Sequence, residues 1–318
     1  MGEDVVVSKK VSLSRNFADI NMPSKLTKEK AQEVANRVKK TLSKDYEIKG
    51  IRDFKKEELE ELVNNNIISE DLITSYDISS FAINKSKNVS ILINEDDHLK
   101  MQMFSQDMKT KDMYNELNKL DDLFIKNYKI AYDKDFGFLT RDLSKIGTGL
   151  RVSAMMFLCG IVSTNGITEL TNYVNRLGYN LKIANVDDMG RSYMFVLTNR
   201  HTLGLSEDQI IERFDKMVEK IIAQELEQRK KIKELNDVYF IDKLKRAYGE
   251  LRNCAIINYD EAVRLIQKTK FAQILGVIKC KNFDVLKLIN NVKNYSLDDK
   301  DKLLNVAIQR AKYIQSNL

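Results

Sequence analysis

The chain predicts an α+β fold, with an antiparallel sheet flanked by helices up to about Gln228 and an all-helical remainder. Two observations carry this expectation. Runs with strand character recur before Gly204 and are absent after it, whereas helical periodicity is found throughout. One proline and 12 glycines among 318 residues favour much helix and few elaborate loops. The length suits one large domain or two smaller ones, and the expected division is residues 1–228 and a helical domain of residues 229–318.

Composition narrows the function classes. Charged residues make up 31% and hydrophobic ones 43%, as in ordinary globular proteins. The formal charge of +6 is modest, and no basic stripe with interleaved aromatics marks a nucleic-acid surface. An RNA- or ribosome-associated role is therefore a remote third class. Cys159, Cys254 and Cys280 are odd in number and lack metal-ligand spacing, which predicts buried thiols in a reducing compartment. No apolar run is long enough to span a bilayer and no signal peptide is evident. The expectation is a cytoplasmic protein with no membrane partner.

Taken in order, Asp4-Val5-Val6-Val7-Ser8 reads as a strand. Thr27 caps a helix whose apolar residues Ala31, Val34, Ala35, Val38 and Leu42 recur at helical spacing. Leu59, Leu62 and Val63 mark a further helical piece, and residues 89–93 a buried strand. That strand delivers Asn94-Glu95-Asp96-Asp97-His98. Three adjacent carboxylates and a histidine suggest a metal site, but consecutive strand residues point to opposite faces, so a solvated acidic turn is expected instead. Residues 113–131 form a helix with Met113, Leu117, Leu120, Phe124 and Tyr128 on one side.

The next stretch, residues 138–151, reads as a short strand, a polar turn and a glycine-flanked entry into an apolar helix over residues 152–162. Gly147 and Gly149 bracket Thr148 and let the backbone approach something closely, and Arg151 follows. Such a turn is either a plain capped loop or an anion site at a helix N-terminus. Cys159 on that helix belongs to the core. A helix over residues 168–177 precedes two strands, 181–186 and 192–198. His201 is structural or on the surface. Ser206 and Gln209 form a capping box for a long amphipathic helix through Ile210, Phe214, Met217 and Ile221. Beyond it only helices are expected, over residues 238–251, 260–269, 283–292 and 297–314.

These motifs resemble those of the bacterial protein-arginine kinases, a branch of the ATP:guanidino phosphotransferases, over nearly the whole chain. Gly147-Thr148-Gly149-Leu150-Arg151 matches a family segment in full, and Leu197 to Gly204 echoes another. The resemblance implies a guanidino-kinase-like sheet and a helical tail that dimerises and binds phosphoarginine. It also implies Mg-ATP as cofactor and a place in the Clp protease and heat-shock repressor circuit. Yet the site positions depart. Two phosphate-gripping arginines are replaced by Lys10 and Ser12, and a third by Lys100, while Arg15 and Arg151 remain. Asp96 stands for the glutamate that holds the substrate guanidinium, and Asp142 for a cysteine. Leu181 aligns with a further phosphate-binding arginine and Val186 with a second catalytic glutamate, with Asp187 or Arg191 in reach of a small register shift. Of the phosphoarginine signature only Asp301 is kept.

Arginine clamps phosphate with a rigid two-pronged fork, which lysine lacks. An aspartate in place of a glutamate falls short by roughly 1.5 Å, and a misplacement of about 1 Å can cost on the order of 100-fold in rate. The expected function is that of a catalytically impaired paralogue acting on protein partners, either Clp-system components or an active kinase. The alternative is a working protein-arginine kinase. A homodimer through the tail is expected because apolar helix faces such as that of Val263, Leu265 and Ile266 need partners.

Overall fold

The computed structural model describes residues 4–74, 77–293 and 300–318, with side chains in the last stretch from Leu304 onward. The strands β1 (Val6–Arg15), β2 (Tyr46–Gly50), β3 (Ser80–Asn84), β4 (Val89–Ile93) and β5 (Leu99–Ser105) come first. The helices α1 (Lys28–Thr41), α2 (Lys56–Asn64) and α3 (Glu70–Thr74) lie among them in the chain. After α4 (Thr110–Asn127) come the short ribbon β6 (Tyr132–Asp133) and β7 (Gly137–Phe138), then β8 (Leu150–Phe157). Next are α5 (Cys159–Ser163), α6 (Ile167–Arg176), β9 (Tyr179–Ala184) and β10 (Met194–Asn199). Among the described residues only helices follow: α7 (Glu207–Leu235), α8 (Val238–Asn253), α9 (Tyr259–Leu275), α10 (Val285–Lys293) and α11 (Lys300–Asn317).

Among the described residues, eight strands form one sheet in the order β2-β3-β4-β5-β1-β8-β10-β9, every neighbouring pair antiparallel. This is the predicted sheet. β1 lies near its centre, with β5 on one side and β8 on the other. Val11 and Leu13 of β1 are fully buried in a core shared with Met113, Leu117 and Phe124 of α4. Each such aliphatic side chain contributes about 1.5–3 kcal/mol on burial. The local signals act as expected at α1, where the Thr27 hydroxyl accepts from the Lys30 amide. They act likewise at α7, where Ser206 and Gln209 complete the capping box.

The structure corrects the apolar helix expected over residues 152–162. Residues 150–157 are the strand β8, and only Cys159–Ser163 is helical. Leu150, Val152, Ala154 and Met156 are buried, while Arg151, Ser153 and Met155 are only partly so. That period of two lies beneath an apolar run that alone does not separate strand from helix. The glycine turn therefore opens a strand and not a helix. Helix α4 also ends earlier than expected, at Asn127.

Helices α8 to α11 pack into a second core with Phe157 and Met194 from the sheet. Val263, Leu265 and Ile266 are buried inside this core, so the faces expected to await a second chain are closed within this one. The expected boundary at Gln228 falls inside the continuous helix α7. There Glu225 accepts from the amides of Gly160 and Ile161 and from Arg229, which also bonds Asp4 and the Phe157 carbonyl. Cys159 sits against this network, fully buried, and burial pushes its thiol well above the usual range. No described helix is long and apolar enough to cross a membrane.

Candidate functional site

Strand parity decides which residues meet. On β1, Ser12 lies across from Gln102 of β5 and Arg151 of β8, Lys10 across from Phe104 and Ser153, and Ser14 across from Lys100. Directly opposed residues share a face. Lys10, Ser12, Lys100 and Arg151, expected from the resemblance as phosphate positions, therefore lie on one side of the sheet, opposite the α4 core. Leu181 does not join them. It pairs with Leu197 and is buried in the helix-side core, whereas its neighbour Lys182 lies across from Val196 on the candidate face. The alternation of β9 thus places Leu181 away from the face that the other aligned phosphate positions share.

The cations on this face are not equivalent. The Lys100 ammonium donates to Glu95 at 2.8 Å, and the Ser69 hydroxyl donates to the other Glu95 oxygen. Burial pushes the Glu95 carboxyl up, but Lys100, Ser69 and Lys10 outweigh it and hold the group below its usual range. Lys10 has no hydrogen-bonding carboxylate among the described residues, and its ammonium lies 4.8 Å from the centre of the Phe104 ring. Burial first, then repulsion by Lys100 and Lys145 against the pull of Glu95, lowers its pKa to about 7. The Arg151 guanidinium donates to the Asn199 carbonyl at 2.6 Å and to the Ser144 hydroxyl at 2.7 Å, with Asp142 at 3.5 Å.

The acidic segment after β4 is not the solvated turn expected from sequence. Glu95, Asp97 and His98 are buried, with only Asp96 substantially exposed. Asp97 accepts from the Asn16 side chain at 2.8 Å and the Arg141 amide at 2.9 Å, and its other oxygen lies 3.8 Å from the Lys145 ammonium. His98 Nδ1 accepts from the Phe17 amide, so Nε2 carries the proton and donates to the Asn21 carbonyl at 2.9 Å. Burial lowers the pKa of this imidazole and favours its neutral form. The segment is a junction joining β1, β5 and the turn at Arg141, for which buried polar groups with partners are required.

Asp96 accepts from the Arg141 guanidinium at 2.7 Å and lies 3.8 Å from the Lys145 ammonium. Asp142 accepts from both the amide and the hydroxyl of Ser144 at 2.9 Å. Burial would raise its carboxyl, but these bonds with Lys145 and Arg151 hold it below the usual range. Lys145 stands near both members of the expected substituted catalytic pair, its ammonium 3.8 Å from Asp96 and its charge acting on Asp142. The side chain of Asp301 lies outside the described residues.

Arg15 and the glycines serve the frame. Arg15 is buried, bonds Asp121 of α4 through Nε at 3.0 Å and Nη2 at 2.6 Å, and stacks 3.6 Å from the centre of the Phe138 ring. Its remaining nitrogen donates to the carbonyls of Ser14 and Thr148, so the one family arginine kept on β1 faces away from the candidate site. Gly149 has φ +66°, and a Cβ there would lie 2.6 Å from Arg15 Nη1 and 2.7 Å from the Ser14 carbonyl. The close approach that these glycines permit is to their own chain. In the loop after β9, Asp187 is consumed by the amides of Met189 and Arg191 and by the Arg191 guanidinium. Gln267 of α9 fastens the same loop through Ser192, Tyr193 and Asn185, and Val186 is exposed.

Comparison with known proteins agrees with this architecture. The profile of the ATP:guanido phosphotransferase C-terminal catalytic domain matches residues 27–228. The protein-arginine kinase of Staphylococcus haemolyticus is 28% identical over 314 residues, covering 98% of this chain and 93% of that protein. That of Clostridium novyi is 29% identical over 331 residues, covering 99% and 95%. Among solved structures, lombricine kinase superposes with a TM-score of 0.59 at 19% identity, covering 70% of this chain and 67% of that one. The duplicated taurocyamine kinase of Schistosoma mansoni gives 0.63 at 22% identity, covering 76% and 37%. The family profile covers β2 to β10 but not β1, and it enters α7; the similarity to protein-arginine kinases runs through the helical tail. This chain is a member of the ATP:guanido phosphotransferase family.

Proposed function

We propose that this protein is a catalytically impaired protein-arginine-kinase-like member of its family, acting as a binding or regulatory protein in protein quality control. Its partners on this reading are components of the Clp protease and heat-shock repressor system or an active kinase paralogue. Recognition of arginine side chains persists at Asp96 and Asp142, and transfer of phosphate does not.

One observation carries the reading. Every group at the aligned phosphate positions is of the wrong type or already engaged. Lys100 is taken by Glu95, and Arg151 by the Asn199 carbonyl and Ser144. Lys10 sits near neutrality, and Ser12 carries no charge. Phosphoryl transfer depends on positioned charge neutralisation, and this set does not fit a clamped Mg-ATP. The near-complete length match to protein-arginine kinases, with Lys100, Lys145 and Lys182 bringing positive charge to the candidate face, supports the alternative of a working kinase with a rebuilt site.

A radiolabelled-ATP assay on an arginine-rich protein, with an active kinase alongside, separates the two. The expected result is no acid-labile label, and robust labelling establishes the alternative. Calorimetry with Mg-ATP should show no saturable heat. Lys10→Arg, Ser12→Arg and Lys100→Arg together should regain nucleotide binding, with turnover returning only when Asp96→Glu and Asp142→Cys are added.

A further inference from the structure

We propose that Arg141 is a tethered occupant of the arginine-recognition site: its guanidinium holds Asp96 and is displaced when an arginine side chain of another protein binds. This rests on the reading above that Asp96 recognises arginine, and it adds the means by which that recognition is restrained.

Three features of the contact support it. Arg141 donates to Asp96 Oδ1 at 2.7 Å, the charge-assisted geometry that an external guanidinium would use. The backbone beneath Arg141 is fixed, because its amide donates to buried Asp97 at 2.9 Å while Asp97 also takes the Asn16 amide nitrogen. At the next residue, Asp142 is held by Ser144. The tether is thus rigid up to the Cα of Arg141, and the side chain beyond it is free to leave. The Arg141 side chain is 52% exposed and that of Asp96 38%. A pair so exposed is weak, so it is a competitor that can be displaced rather than a permanent plug. By contrast Arg15, whose side chain is 2% exposed with a two-point bond to Asp121, is locked.

The occupant also has a second cation behind it. Lys145, 12% exposed, lies 3.8 Å from both Asp96 and Asp97. It remains when Arg141 swings out, so Asp96 keeps a cationic neighbour while the incoming group docks. A resident guanidinium on a short leash lowers the apparent affinity for a free one by the fraction of time it is bound.

The test is titration of the intact chain and of Arg141→Ala with ethylguanidinium, followed by calorimetry or by the amide resonances of residues 94–98. An exposed ion pair of ordinary strength corresponds to about two- to five-fold tighter binding once the competitor is removed. Arg141→Lys, which keeps the charge and loses the fork, should fall between the two. A second readout needs no ligand. The guanidinium proton signals of Arg141 should show hindered rotation in the intact chain and lose it in Asp96→Asn. Equal affinities in the intact chain and Arg141→Ala overturn the proposal, as does an Arg141 signal indifferent to Asp96→Asn. Failure of ethylguanidinium to bind either chain overturns arginine recognition itself, and the competition with it.

Discussion

At the scale of single residues, the candidate face is a set of charges whose partners decide their use. Lys10 is the clearest case, since its ammonium is desolvated and lies among other cations. A lysine of lowered pKa has released its proton in the folded chain while the unfolded chain still holds it. Stability should therefore rise with pH between about 7 and the ordinary lysine value of 10.5. Below that window the cost of the buried charge is fully present. Lys10→Met removes the cost, so its urea midpoint should exceed that of the parent at about pH 6, and the gap should narrow as pH rises from about 7 toward 10.5. A constant gap across that range would mean that Lys10 titrates normally. The residue scale also separates what motif comparison found from what it missed. Asp96, Asp142 and Arg151 were visible as changed or kept letters. What Glu95, Lys145 and Arg141 bond to became visible only in the structure.

At the scale of elements, the site depends on how β1 is anchored. Arg15 ends that strand and grips Asp121 of α4, both side chains 2% exposed. Breaking a buried pair by removing one partner leaves an uncompensated charge and costs about 3–5 kcal/mol. Asp121→Ala should lose about that much in denaturant unfolding. A loss below about 1 kcal/mol would show that β1 is held by its neighbours alone. The strands themselves were legible in part. Residues 89–93 and the capped helices α1 and α7 follow from local composition. β8 was mistaken for helix because its apolar run outweighed the alternation of Arg151 and Ser153.

For the whole molecule, the helical tail closes its own core and is fastened to the sheet through Gln267 and through the Glu225–Arg229 network. The dimer expected from sequence loses its first argument, because Val263, Leu265 and Ile266 are satisfied within the chain. It stands as a proposal on a different surface. Leu235, Val238 and Tyr239 at the α7–α8 junction are 77%, 73% and 83% exposed, an apolar group at the tip of two helices. Light scattering at micromolar concentration should give the mass of a dimer, and Tyr239→Glu should give the monomer. A parent chain that is already monomeric rejects the proposal.

The sequence by itself determined the α+β class, the all-helical tail, the caps of α1 and α7 and the family, because these follow from residue identities and short-range periodicity. The tertiary structure decided which of the kept and changed residues face one another. Arg15 turns to the α4 side of the sheet and Lys182 to the opposite face, Asp97 and His98 go into a junction, and Arg141 falls on Asp96. The reason is physical: a strand presents alternate residues to opposite sides. A side chain's chemistry is then set by partners such as Arg141 for Asp96, 45 residues away in the chain, which no local pattern specifies.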